Sequence, residues 1–186
     1  MEEESNPVTN KSIDISRTEE TYLNLGKSLH TFNEIELFLS LIILHHIEPK
    51  DRTFFLDYVL NPKVISFGAK LKILINLNIF NKSEIEKIRD LSTNRNVFAH
   101  SNKTESVETR EENGNPHSIS VNINSVIFKT NSSGKLVKLD YSKFIKEHIA
   151  LQNDVIDLIS EYIIENSINT EFNHITNLKL LKNNIA

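Results

Sequence analysis

The segment Tyr22–Ile47, YLNLGKSLHTFNEIELFLSLIILHHI, decides the fold. Tyr22, Leu25, Leu29, Phe32, Ile35, Leu39, Ile42 and Ile43 recur at steps of three and four, the period that gathers apolar side chains on one face of an α-helix. A long helix from Arg17 to Ile47 is predicted, and Pro49 stops it. Lys50–Leu60, with Phe54, Phe55, Tyr58 and Val59, reads as a short second helix ending before Asn61-Pro62. Val64, Ile65, Phe67, Leu71, Ile73, Leu74 and Leu77 make a third.

Downstream, Ser83-Glu84-Ile85-Glu86 has capping-box spacing, in which Ser83 accepts from the amide three residues on and Glu86 reaches back to the Ser83 amide. A fourth helix is expected there, running through Ile85, Ile88, Leu91 and Phe98 to Ala99 or His100. Ser101–Pro116 is charged and poor in apolar residues, which predicts a mobile loop. Ile119, Val121 and Ile123 then alternate with polar residues, and Val126 and Phe128 resume one residue out of phase, so a strand with a bulge or turn near Asn124 is expected. Asn131-Ser132-Ser133-Gly134 is turn chemistry before Leu136–Leu139, completing a hairpin. Asp140 or Ser142 then caps a last long helix whose buried face is Phe144, Leu151, Val155, Leu158 and Tyr162.

The predicted fold class is therefore mainly α: an up-and-down helical bundle of about five helices over residues 17–166. A small β-hairpin insertion at about 117–139 separates the fourth helix from the last. Residues 1–16 and 167–186, polar and rich in Asn, read as tails. The length of 186 residues suits one domain, no internal repeat is visible, and only four Gly and four Pro disfavour many-turned all-β designs. With no Cys, disulfides, thiolate nucleophiles and sulfur-based zinc sites are excluded. The acidic start Met1-Glu2-Glu3-Glu4 and the lack of any apolar run of about 18 residues argue against a signal peptide and a membrane span, so a cytoplasmic location is expected. A net charge of −4 argues against broad polyanion binding and leaves room only for a locally focused nucleic-acid site.

Two charges interrupt the apolar stripes, and buried charge is costly without a partner. Advancing about 100° per residue places Arg95 between Ile88 and Leu91 on the fourth helix, and places Glu36 amid Leu25, Leu29, Phe32, Leu39 and Ile43 on the first. One reading is an internal Glu36–Arg95 ion pair that fixes how the two helices pack. The other is that Glu36 holds Arg95 for an anionic ligand, since a guanidinium fork suits phosphate as well as carboxylate. Asn96 and His100, four apart, share a face, whereas Arg95 and His100 diverge by about 140° and meet only at a helix end or between two facing helices.

Arg95-Asn96-Val97-Phe98-Ala99-His100, near the end of a late helix and opposite an inward Glu36, resembles the Arg, polar residue, three or more residues, His motif of HEPN domains. The stretch Ser66-Phe67-Gly68-Ala69-Lys70-Leu71 is also similar to members of that group, and the resemblance spans roughly Thr18 to Glu165. It implies a homodimer whose two motifs converge on one cleft, where active members cleave RNA without a metal or other cofactor. His100 would be general acid or base and Arg95 would stabilise the phosphorane charge. Asn96 would position phosphate or imidazole, with Glu36 supporting Arg95. The resemblance further implies a toxin or phage-defence role, with an antitoxin or activating protein as a possible partner. Asn102 stands where one toxin branch has the Tyr its antitoxin modifies, so that route of regulation is not implied. Other members of the family are noncatalytic dimerisation or binding modules, an alternative in which Glu36 and Arg95 act as a structural clamp.

The remaining signals are bland. His45-His46 near Glu48 suits the negative end of a helix better than a metal, since adjacent side chains diverge. Asn131–Lys135 lacks the first Gly and the Ser or Thr of a phosphate-binding loop. His117, His148 and His174 read as solvated or capping residues, and the aromatic residues as core. Lys82, Lys87, Arg89 and Lys103 are interleaved with Glu84, Glu86, Asp90, Glu105 and Glu108, so no basic patch forms.

Overall fold

The fold was described from a computed structural model that covers residues 15–100, 103–112, 115–130 and 133–168. Both tails, apart from Ile15, Ser16, Ser167 and Ile168, lie outside the described residues, as do Asn102 and His174. The elements are helix α1 (Ile15–Ile47), a short helix α2 (Arg52–Phe54) running into a π-helical turn (Phe55–Val59), α3 (Phe67–Asn76), α4 (Lys82–His100), strands β1 (Lys103–Glu112), β2 (Asn115–Thr130) and β3 (Leu136–Asp140), and α5 (Tyr141–Glu165). The protein is a mainly helical bundle with a β-hairpin, β2–β3, ahead of the last long helix.

Helix α1 is the centre of the bundle. Phe32, Ile35, Leu39, Ile42 and Ile43 are buried as the period predicts, and Phe38, Leu41 and Leu44 are buried as well, because α3, α4 and α5 cover α1 on several sides. At its start the stripe fails: Tyr22 is 69% exposed, and the face begins to close only at Leu25 and Ser28. The second helix forms where expected, but its second half widens, with the Leu60 amide donating to the Phe55 carbonyl at 2.9 Å, five residues back.

Helix α4 starts two residues earlier than the Ser83–Glu86 spacing suggests. Asn81 is the cap: the Glu84 amide donates to Asn81 Oδ1 at 3.1 Å and the Asn81 amide donates to Glu84 Oε2 at 2.7 Å. The reciprocal box is real, but Asn takes the place read for Ser, with which it is nearly equivalent as an N-cap. At the other ends, α3 and α5 stop without glycine. Asn78 (φ 52°) and Ser167 (φ 48°) adopt the left-handed conformation, and the Ile79 and Ile168 amides return to the Leu74 and Ile163 carbonyls.

The segment expected to be a mobile loop after α4 contains strand β1, which pairs antiparallel with β2 from Lys103↔Ile127 to Glu111↔Ile119. Val107 is the only aliphatic residue in β1, so backbone pairing to β2, not an apolar alternation, defines it. The predicted bulge near Asn124 is absent, because pairing runs unbroken past Asn124↔Ser106, and the irregularity falls between Glu111 and Glu112. The change of phase in β2 has another cause: Val126 and Ile127 face opposite ways and both are buried. Gly134, at φ 78°, serves the turn into β3.

Asp140 caps α5, accepting from the Lys143 amide at 2.7 Å. The buried face of α5 is rotated by about one residue from the predicted one, centred on His148, Gln152, Val155, Ile156, Ile159 and Ile163, with Leu151, Leu158 and Tyr162 at its margin. Gln152 is fully buried against α1: its amide donates to the Ser28 carbonyl at 3.0 Å, and the Ser28 hydroxyl reaches Gln152 Oε1 at 3.5 Å. A second, smaller core of Val97, Phe98, Ile127, Tyr141, Phe144 and Ile145 ties the base of the sheet to the end of α4.

Candidate functional site

The end of α4 is held by the two middle residues of the Arg95–His100 stretch. Val97 and Phe98 are buried in the second core, where the Phe98 ring lies 4.8 Å from Phe144 and 4.7 Å from His148. That anchoring turns Asn96 and Ala99 outward and leaves Arg95 half-buried on the side facing α1. Arg95 does occupy the arc between Ile88 and Leu91, but it does not meet a carboxylate. Its guanidinium carbon sits 4.7 Å from the centroid of the Phe32 ring, which is braced from another side by Phe67 at 4.9 Å. Its Nη1 donates to Asn96 Oδ1 at 3.0 Å.

Glu36 points inward as predicted, one helical turn beyond Phe32, and its side chain is 8% exposed. Its partner, however, is Lys70 of α3, whose Nζ donates to Glu36 Oε1 at 2.8 Å. Among the described residues Glu36 makes no ion pair with Arg95, so the expected Glu36–Arg95 clamp is replaced by Glu36–Lys70. Lys70 is 1% exposed, and the sequence reading passed over it although the same rotation applied to α3 puts it beside Phe67, Leu71 and Leu74.

Arg95, Glu36 and Lys70 line one cleft of about 510 Å³ between α1, the π-helical turn and α3. Leu37, Leu56, Leu60 and Pro62 supply its apolar walls, and Asn33 and Asp57 add polar groups. Glu36 Oε2 has no hydrogen-bond partner among the described residues and is not sealed from the cleft. The cleft can accommodate a flat apolar face, a hydrogen-bond donor at Glu36 and an anion at Arg95. Helix α4 ends at His100, whose side chain lies outside the described residues.

Of two other histidines, His148 departs from expectation, and His46 stands in the last turn of α1 as expected. His148 is neither solvated nor capping: it is fully buried, neither ring nitrogen has a hydrogen-bond partner among the described residues, and burial pushes its pKa down to about 4. His46 bonds through Nε2 to the Tyr162 hydroxyl at 2.7 Å, linking α1 to α5, and its pKa is lowered by burial and by the neighbouring His45. The side chain of His117 lies outside the described residues. Among the described residues no group of three or more His, Asp or Glu side chains could hold a metal ion, and no helix is long and apolar enough to cross a membrane. No family model, curated protein or solved structure matches this chain.

Proposed function

We propose that the protein is a metal-independent endoribonuclease of the HEPN type, with its site completed by pairing two copies at the ends of their α4 helices. The observation that carries this reading is the state of Arg95. Because Lys70 takes the Glu36 carboxylate, the Arg95 guanidinium has an aromatic face and an amide oxygen for partners but no counter-charge among the described residues. It is half-exposed at a cleft of nucleotide scale, where an anionic phosphate would supply the missing charge.

The chemistry needs only side chains. A base removes the proton of a ribose 2′-hydroxyl, the 2′-oxygen attacks the adjacent phosphorus, the bond to the 5′-oxygen breaks, and an acid returns a proton to that leaving oxygen. The products are a 2′,3′-cyclic phosphate and a 5′-hydroxyl. His100 supplies the base or acid, since imidazole is the side chain whose charge change falls nearest neutral pH. Arg95 stabilises the charge that develops on the phosphorane oxygens. Asn96, bonded to Arg95, steers the guanidinium. Glu36 and Lys70 shape the cleft beside it.

The test is incubation of the purified chain with mixed RNA in EDTA, alongside His100→Ala and Arg95→Ala. Cleavage by wild type with cyclic-phosphate ends, lost in His100→Ala while folding and oligomeric state are kept, is the expected result. Intact RNA with folded wild-type dimer would refute the enzyme reading and leave a binding module.

A further inference from the structure

The cleft between α1, the π-helical turn and α3 is larger than a phosphate contact requires, and its composition argues against a bare anion as its occupant. Its charged lining balances, Lys70 and Arg95 against Glu36 and Asp57. Much of the remainder is leucine and proline, which offer flat apolar contact. Polar edges set in apolar walls fit a neutral, planar, hydrogen-bonding group.

Glu36 determines which such group fits. Its Oε1 is fixed by Lys70 at 2.8 Å, while Oε2 has no partner among the described residues and opens to the cleft. A carboxylate held in this way accepts but cannot donate. We propose that the cleft is a nucleobase subsite selective for guanine, with Glu36 accepting from the guanine N1–H and N2–H groups. Asn33, exposed and lining the same cleft one helical turn before Glu36, has an amide group that can supply a donor for O6. The proposal rests on the RNA-cleavage reading for the source of the base. Guanine is the standard base with two adjacent donors on its pairing edge. Adenine and cytosine turn a ring-nitrogen acceptor toward the carboxylate, and uracil flanks its single N–H with two carbonyls. A charge-assisted hydrogen bond lost to such a mismatch costs binding at least about tenfold.

The experiment is titration of the wild-type chain with the 5′-monophosphates of guanosine, inosine, adenosine and uridine. The phosphate is common to all four, so differences report the base. Guanosine monophosphate should bind at least tenfold tighter than the adenosine and uridine nucleotides, with inosine, which keeps N1–H and lacks the amino group, in between. Because Glu36→Gln alone leaves Lys70 buried without a counter-charge, the variant to use is the double Glu36→Gln/Lys70→Gln. Shown to be folded by its melting curve, it should lose the guanine preference. Equal binding of all four nucleotides, or preference retained in the double variant, overturns the subsite. The two readings fail separately: metal-free RNA cleavage with no base preference at the cut sites and no guanine-selective binding removes the subsite and keeps the nuclease. Guanine-selective binding without cleavage does the reverse.

Discussion

Replacing Lys70 by Met keeps most of the length of the side chain and deletes its charge, leaving Glu36 inside the bundle with no cation. Both groups are well shielded, Lys70 at 1% and Glu36 at 8% side-chain exposure, so solvent screening offsets little of the loss. Removing one member of such a pair costs about 3–5 kcal/mol, because the survivor keeps its desolvation penalty. In a domain of this size each kcal/mol moves Tm by about 2–4 °C, so Lys70→Met should melt about 6–20 °C below wild type. The Lys70→Met/Glu36→Leu double variant removes both charges and should return to within about 1 kcal/mol of wild type or exceed it. Arg95→Ala provides the contrast: losing its stacking on Phe32 should cost only about 1 kcal/mol. Urea denaturation of the four proteins measures these differences. If Lys70→Met costs less than about 1 kcal/mol, or Arg95→Ala costs as much as Lys70→Met should, then Glu36 is not held by Lys70 and the reasoning about a free Arg95 collapses with it.

Two further outcomes are expected. The unfolded chain binds a proton at His148 near its ordinary 6.5, whereas the folded chain resists until about 4, so stability is full above about pH 6.5 and falls by about 3 kcal/mol as pH drops toward 4. Denaturation of wild type and His148→Leu at pH 7.5 and 4.5 checks this, and equal pH slopes for the two would contradict a buried neutral imidazole. At the start of α4, Asn81→Ala should cost about 1 kcal/mol and Ser83→Ala close to nothing, a difference that thermal melts resolve.

Much of the bundle could be read from apolar period and caps alone. The extent of α1, the Asp140 cap and the turn at Gly134 are local properties, written in residues close in sequence. Partner choice was not local. Glu36 and Arg95 both stood out as charges in apolar stripes, but one stripe can meet several others, and only packing reveals that α3 brings Lys70 to Glu36 while Phe32 meets Arg95. Strand β1 escaped for a different reason: a strand defined by backbone pairing to one neighbour needs no side-chain alternation. His148, four residues after Phe144, sits at the margin of the predicted face of α5, where the apolar period alone does not tell a buried imidazole from a solvated one.

Two apolar helix faces can slide past each other by a whole turn, about 5.4 Å, and bury nearly the same area, so leucine and isoleucine alone do not say how high α5 stands beside α1. The buried Gln152 does, since its amide finds the Ser28 carbonyl at one height only and a slip would strand it among hydrocarbon. That rung, together with the His46–Tyr162 bond between the same two helices, sets the level at which the sheet, joined directly to the start of α5, meets the end of α4. Lengthening or trimming the far tip of the β1–β2 hairpin should thus leave Arg95 and its cleft at the same height. A change at Gln152 would leave that level to the exposed His46–Tyr162 bond.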